Sequence, residues 1–72
     1  MPRNDQAYIW DIIQAAREIM EFVAGMTESE FNNDRKSRYA VERELIVIGE
    51  AAHHLSDEFK EQHPDIPWNR LI

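Results

Sequence analysis

The chain has 72 residues, eight basic and fourteen acidic, with a formal net charge of −6 and a pI near 4.9. Its length limits it to one domain, and a chain of this size buries only about 60% of the surface it exposes when unfolded. The absence of cysteine excludes disulfides, thiolate metal sites and cysteine nucleophiles, and the acidic balance disfavours non-specific binding to nucleic acid.

The first predicted helix runs from about Asp5 to Ala24, with Asn4 or Asp5 able to cap its start and Gly25 supplying a left-handed stop. At 100° per residue Tyr8, Ile12, Ala15, Ile19, Phe22 and Val23 form one stripe, which Ile9, Ile13, Ala16 and Met20 widen to roughly half the circumference. Asp11, Gln14, Arg17, Glu18 and Glu21 share the opposite side. An apolar arc this wide needs more than one neighbouring helix.

Thr27 with Glu30 three residues later fits a capping box, predicting a short helix from Glu28 to about Asn32. Asn33 and Asp34 form the break, and either can cap the next helix. The second long helix starts near Asp34 and reaches at least Leu55, with an extension to about residue 60. Its stripe Val41, Leu45, Ile48, Ala52, Leu55 and Phe59 keeps helical spacing throughout. The other face carries Arg43, Val47, Glu50 and His54, flanked by Tyr39 and Ile46. A solvated face would not hold those apolar residues, so the helix is expected to be contacted on two sides. Gly49, costly in a helix interior by about 1 kcal/mol relative to Ala, would admit a close backbone there.

Ser56 can cap a fresh turn carrying Asp57 and Glu58, so the helix bends or restarts at that point. His63-Pro64 ends it, because a residue before proline is pushed out of the α region. Asp65-Ile66-Pro67-Trp68 then connects to the start of a third helix over 67–72. The fold class is therefore all-α: an antiparallel helical hairpin, the N-terminal part of a bundle that oligomerisation would complete.

Two chemical readings arise from the residues alone. Glu50 and His53 form a Glu-x-x-His pair whose spacing lets a carboxylate and an imidazole reach one metal. A homodimer would supply a second pair, with Glu18 or Glu21 as added carboxylates, although both lie on the polar side of their helix. The commoner origin of such a pair is coincidence, and the same holds for metal binding by His53, His54 and His63, since adjacent histidines point about 100° apart. The expectation is no metal and no cofactor. Arg43 and Glu50, two helical turns apart on a partly apolar face, instead suggest a polar groove or interface with Tyr39 and His54 beside it. The basic cluster Arg35, Lys36 and Arg38 is expected to be a solvated helix end. No apolar run approaches a membrane span and no signal-peptide pattern opens the chain, so the expected compartment is the cytoplasm.

The stretch AVERELIVIGEAAHHLSDEFKEQHPDIPW, Ala40 to Trp68, closely resembles the second helix and following connection of HepT-like proteins, small all-α members of the HEPN superfamily. Val41, Arg43, Leu45, Ile48, Gly49, Glu50 and Ala51 match the family pattern, as do Leu55, Ser56, Pro64, Ile66, Pro67 and Trp68. Tyr8, Ile12 and Ile19 fit its opening helix more loosely. The resemblance implies the toxin of a type VII-like toxin–antitoxin module: a metal-independent RNase, homodimeric, paired with a minimal nucleotidyltransferase antitoxin. In the family, catalysis rests on an Arg-x-x-x-x-His-x-Tyr motif on the third helix. In that scheme histidine moves the proton, arginine stabilises phosphate charge and the antitoxin nucleotidylates the tyrosine. The 72 residues contain no such motif. Only Arg43 and Glu50 carry over, as groove-lining residues. The expectation is a truncated, catalytically incomplete HepT-like chain that associates through its helical faces. The alternative is a metal- or nucleotide-binding helical protein using Arg43, Glu50 and His53.

Overall fold

Local signals set the element boundaries. In the computed structural model, which describes residues 4–71, the Asn4 side chain accepts from the Ala7 N–H at 3.0 Å and opens α1, Asp5–Val23. Ala24 caps that helix and Gly25 takes φ +76°, the left-handed turn that only glycine adopts without strain. Thr27 and Glu30 exchange hydrogen bonds at 3.0 and 3.1 Å, a complete capping box for α2, Glu28–Asn33. Asp34 ends α2 and starts α3, Arg35–His54, where its carboxylate accepts from both the N–H and the hydroxyl of Ser37.

The second long helix is shorter than an extension to residue 60. Leu55 leaves the helical region, and Ser56 accepts from the Phe59 N–H at 3.1 Å to open α4, Asp57–Gln62. His63 closes α4, and Pro67 precedes α5, Trp68–Leu71. The Trp68 indole N–H donates to the His63 carbonyl at 3.0 Å, and the Phe59 ring lies 4.5 Å from that of His63 and 6.0 Å from that of Trp68. These contacts tie α5 back to α4. Ile72 lies outside the described residues.

The packing is that of an antiparallel hairpin, because the start of α1 meets the end of α3. Asp5 bonds Ser56, Tyr8 stacks on His54, and Glu18 lies close enough to Glu44 to raise its carboxyl. Residue numbers across the seam add to 61 or 62 in every case, which fixes the register. Among the described residues the buried ones are Ala15 on α1, Ala51 and Ala52 on α3, and Leu55 just past it. Small side chains on both helices allow close approach at the centre, with half-buried Gly49 alongside.

The described residues span 40 × 27 × 16 Å. The main packing is that of α1 against α3, with α2 and α5 also touching α3, and one such pairing cannot cover wide apolar arcs. Leu45, placed in the core stripe by its spacing, is 54% exposed, and Met20 is 62% exposed. Trp10, Ile13, Phe22, Tyr39 and Ile46 are exposed as well. The spacing located the apolar residues correctly but not their cover, because α1 and α3 can each face the other along only one strip.

Candidate functional site

Near the Asp5 end of the hairpin, α1 and α3 leave a groove of about 220 Å³ lined by Tyr8, Asp11, Val47, Glu50, Ala51 and His54. Antiparallel register explains the membership: Tyr8 and Asp11 are one turn apart on α1, while Val47, then Glu50 with Ala51, then His54 lie on three successive turns of α3. The Tyr8 and His54 rings lie 5.3 Å apart and 20° from parallel, and His54 also meets His53 edge-on at 5.6 Å. The lining carries two carboxylates, an imidazole and a phenol, and neither Lys nor Arg. A groove with this charge repels phosphate and favours a cationic group.

Of the residues singled out in the sequence, Glu50 and His54 line this groove together. Arg43 and Tyr39 lie on the exposed side of α3, Tyr39 at 59% exposure, and line no part of it. His53 is exposed, and its carbonyl accepts from the Lys60 ammonium at 3.4 Å. Among the described residues no three His, Asp or Glu side chains are grouped to hold a metal ion, so Glu50 and His53 gain no third ligand among them. Tyr8 and Asp11, assigned respectively to the apolar stripe and the polar side, were missed as lining residues. Their signal is the hairpin register, which a pattern within one helix does not contain.

Two carboxylate contacts join the helices beyond the groove. At one end Asp5 accepts from the Ser56 N–H at 2.8 Å and from its hydroxyl at 2.6 Å. The hydroxyl bond, then the backbone bond, hold the Asp5 carboxyl below its ordinary value of 3.8. Farther along the seam Glu44 is raised above its ordinary 4.5. The cause is first a hydrogen bond to the Glu18 carboxyl, then partial burial, then the Glu18 charge, with Arg43 opposing.

The chain matches the model of the family described as Ribonuclease HepT-like over residues 12–72. It belongs to that family, as the GEA segment of α3 and the IPW connection implied. A protein of Methanocaldococcus jannaschii named as a candidate RNase is 36% identical over 70 residues, covering 97% of this chain and 64% of the relative. A second protein of that organism, named in the same way, is 41% identical over 72 residues, covering 99% and 60%. A protein of Thermococcus cleftensis named as a probable ribonuclease HepT is 38% identical over 71 residues, covering 99% and 64%. The chain thus spans less than two thirds of the length of these relatives. No solved structure matches it.

Proposed function

We propose that this chain is the helical-hairpin portion of a HepT-like toxin, a ribonuclease component of a toxin–antitoxin module, and that it associates through its exposed faces while lacking the catalytic motif. The observation that carries the reading is the family match across residues 12–72 on a chain without an Arg-x-x-x-x-His-x-Tyr motif. Association is supported by large apolar side chains left in solvent, Trp10, Met20, Tyr39, Leu45 and Ile46 among them. The partners of this reading are a second helical chain and a minimal nucleotidyltransferase antitoxin, in the cytoplasm. RNA is the family's substrate, and the acidic groove between α1 and α3 is unsuited to hold its phosphates. Among the described residues no helix is long and apolar enough to cross a membrane.

The test is a cleavage assay on the purified 72-residue chain with end-labelled RNA. The expected result is no cleavage with or without EDTA. Cleavage that persists in EDTA and disappears in Arg43→Ala would overturn the catalytic part of the reading. Sedimentation equilibrium tests the other part, and a folded monomer at micromolar concentration is the adverse outcome.

A further inference from the structure

Two short helices begin at a hydroxyl cap, and each completes it differently. In α2 the Thr27 hydroxyl accepts from the Glu30 N–H at 3.1 Å, and the Glu30 carboxylate accepts in return from the Thr27 N–H at 3.0 Å. That helix satisfies its own start. In α4 the Ser56 hydroxyl likewise accepts from the Phe59 N–H at 3.1 Å. The reciprocal acidic position, however, is held by Phe59 itself, whose side chain has no acceptor. The carboxylate comes instead from α1, 51 residues earlier in the chain. Asp5 accepts from the Ser56 N–H at 2.8 Å and from the Ser56 hydroxyl at 2.6 Å. A helix of six residues is far below the roughly 12–15 at which an isolated helix becomes even marginal, so α4 depends on what caps it.

We infer that α1 and α4 share one capping box with Asp5 as its acidic half, so that α4 is a conditional helix, formed when the start of α1 is seated on the hairpin. The shared hydroxyl carries the coupling. With its proton committed to Asp5, it presents its lone pairs to the Phe59 N–H, and the two bonds polarise each other. Without Asp5 the hydroxyl is free to rotate and the Ser56 N–H loses its acceptor. The elements meeting here carry His53 and His54 at the end of α3, and Asp57, Glu58 and Lys60 on α4. Of these, Lys60 attracts the Asp5 carboxylate, and its ammonium also donates to the His53 carbonyl at 3.4 Å. The coupling continues beyond α4. Phe59 meets the His63 and Trp68 rings, and the Trp68 indole donates to the His63 carbonyl. The seating of α1 is thereby transmitted to α5 within one chain.

The experiment uses the full chain and amide hydrogen exchange read residue by residue by NMR. The probes are the Phe59 and Lys60 amides, which bond the Ser56 hydroxyl and the Ser56 carbonyl rather than Asp5. Asp5→Ala is expected to raise their exchange at least about tenfold, because bonds to a charged acceptor are the stronger class. The Ala51 and Ala52 amides of α3 are expected to keep their rates. Glu30→Ala, the counterpart in α2, is expected to raise exchange at Phe31, which bonds the Thr27 carbonyl, and to leave Phe59 and Lys60 unchanged. A second measurement needs no substitution. The Ser56 hydroxyl bond, then the backbone bond, hold the Asp5 carboxyl below 3.8. Protection at Phe59 and Lys60, corrected for intrinsic exchange, is therefore expected above that value and lost as pH falls through the lower folded one, ahead of Ala51 and Ala52. Unchanged exchange at Phe59 and Lys60 in Asp5→Ala overturns the shared cap. So does a rise, in the variant or in acid, that is equal at Ala51, Ala52, Phe59 and Lys60, since α4 would then open only with the whole hairpin.

Discussion

Ser56→Ala tests whether one hydroxyl holds together the far end of the hairpin. That hydroxyl accepts from the Phe59 N–H at 3.1 Å and donates to Asp5 at 2.6 Å, so alanine removes both bonds while the Ser56 N–H bond to Asp5 at 2.8 Å survives. Loss of the cap alone costs about 1 kcal/mol, within a range of roughly 0.5–2. For a domain of this size that lowers the melting temperature by roughly 4–8 °C. The bond to Asp5 adds a pH-dependent part whose sign follows from its lowered pKa. A depressed carboxylate stabilises the fold above its ordinary value of 3.8, and that contribution disappears as pH falls through the lower folded value. The assay is thermal melting by circular dichroism at neutral pH and again below the Asp5 transition, at one protein concentration because association shifts stability. The variant is expected to melt lower at neutral pH, with a smaller gap to wild type in acid. Identical melting at neutral pH, or a gap unchanged by acid, would refute the reasoning.

Leu55→Ala removes the largest side chain of a small buried set; a loss of about 2–5 kcal/mol is expected, read as the urea midpoint of the helical signal. At Gly25 an added Cβ meets nothing within 4 Å, so Gly25→Ala costs only the left-handed backbone, about 1 kcal/mol. Gly25→Asn should cost less, and equal melting of all three proteins would contradict the φ of +76°. The raised Glu44 carboxyl stabilises the hairpin below its ordinary value of 4.5, and that contribution is lost as pH rises through the higher folded value. Glu44→Gln should therefore be less sensitive than wild type to a rise in pH across that window, measured by urea titration at several pH values; parallel profiles would exclude the raised Glu44 carboxyl.

Legibility in the sequence divides by range. Asn4, Gly25, Thr27 with Glu30, Asp34 and Ser56 each act on backbone groups within four residues, so their effects are legible without tertiary information. The family resemblance also lay in contiguous residues, Ala40 to Trp68. The exposure of Leu45 and the groove places of Tyr8 and Asp11 depend on how one helix is rotated and shifted against another. Helical spacing sets which residues share a stripe, and the pairing of two stripes requires the register. Asp5 with Ser56 and Glu18 with Glu44 are contacts of that second kind. Glu50 and His54 were identifiable because their face already held Val47 and Ile46 where solvent-facing residues were expected.

Asp34 serves two helices at once, its N–H on the Phe31 carbonyl of α2 and its carboxylate on Ser37 of α3. Such a joint has no slack. Adding or deleting one residue there turns α2 by about 100° in phase relative to α3 and swings half-buried Phe31 away from its present side. Asn or Ser at this position would retain a capping oxygen, whereas a change of length would not preserve the alignment. The joint can therefore vary in side-chain chemistry while its spacing stays constant, and a chain that inserts a residue between α2 and α3 would have to find a new seat for α2.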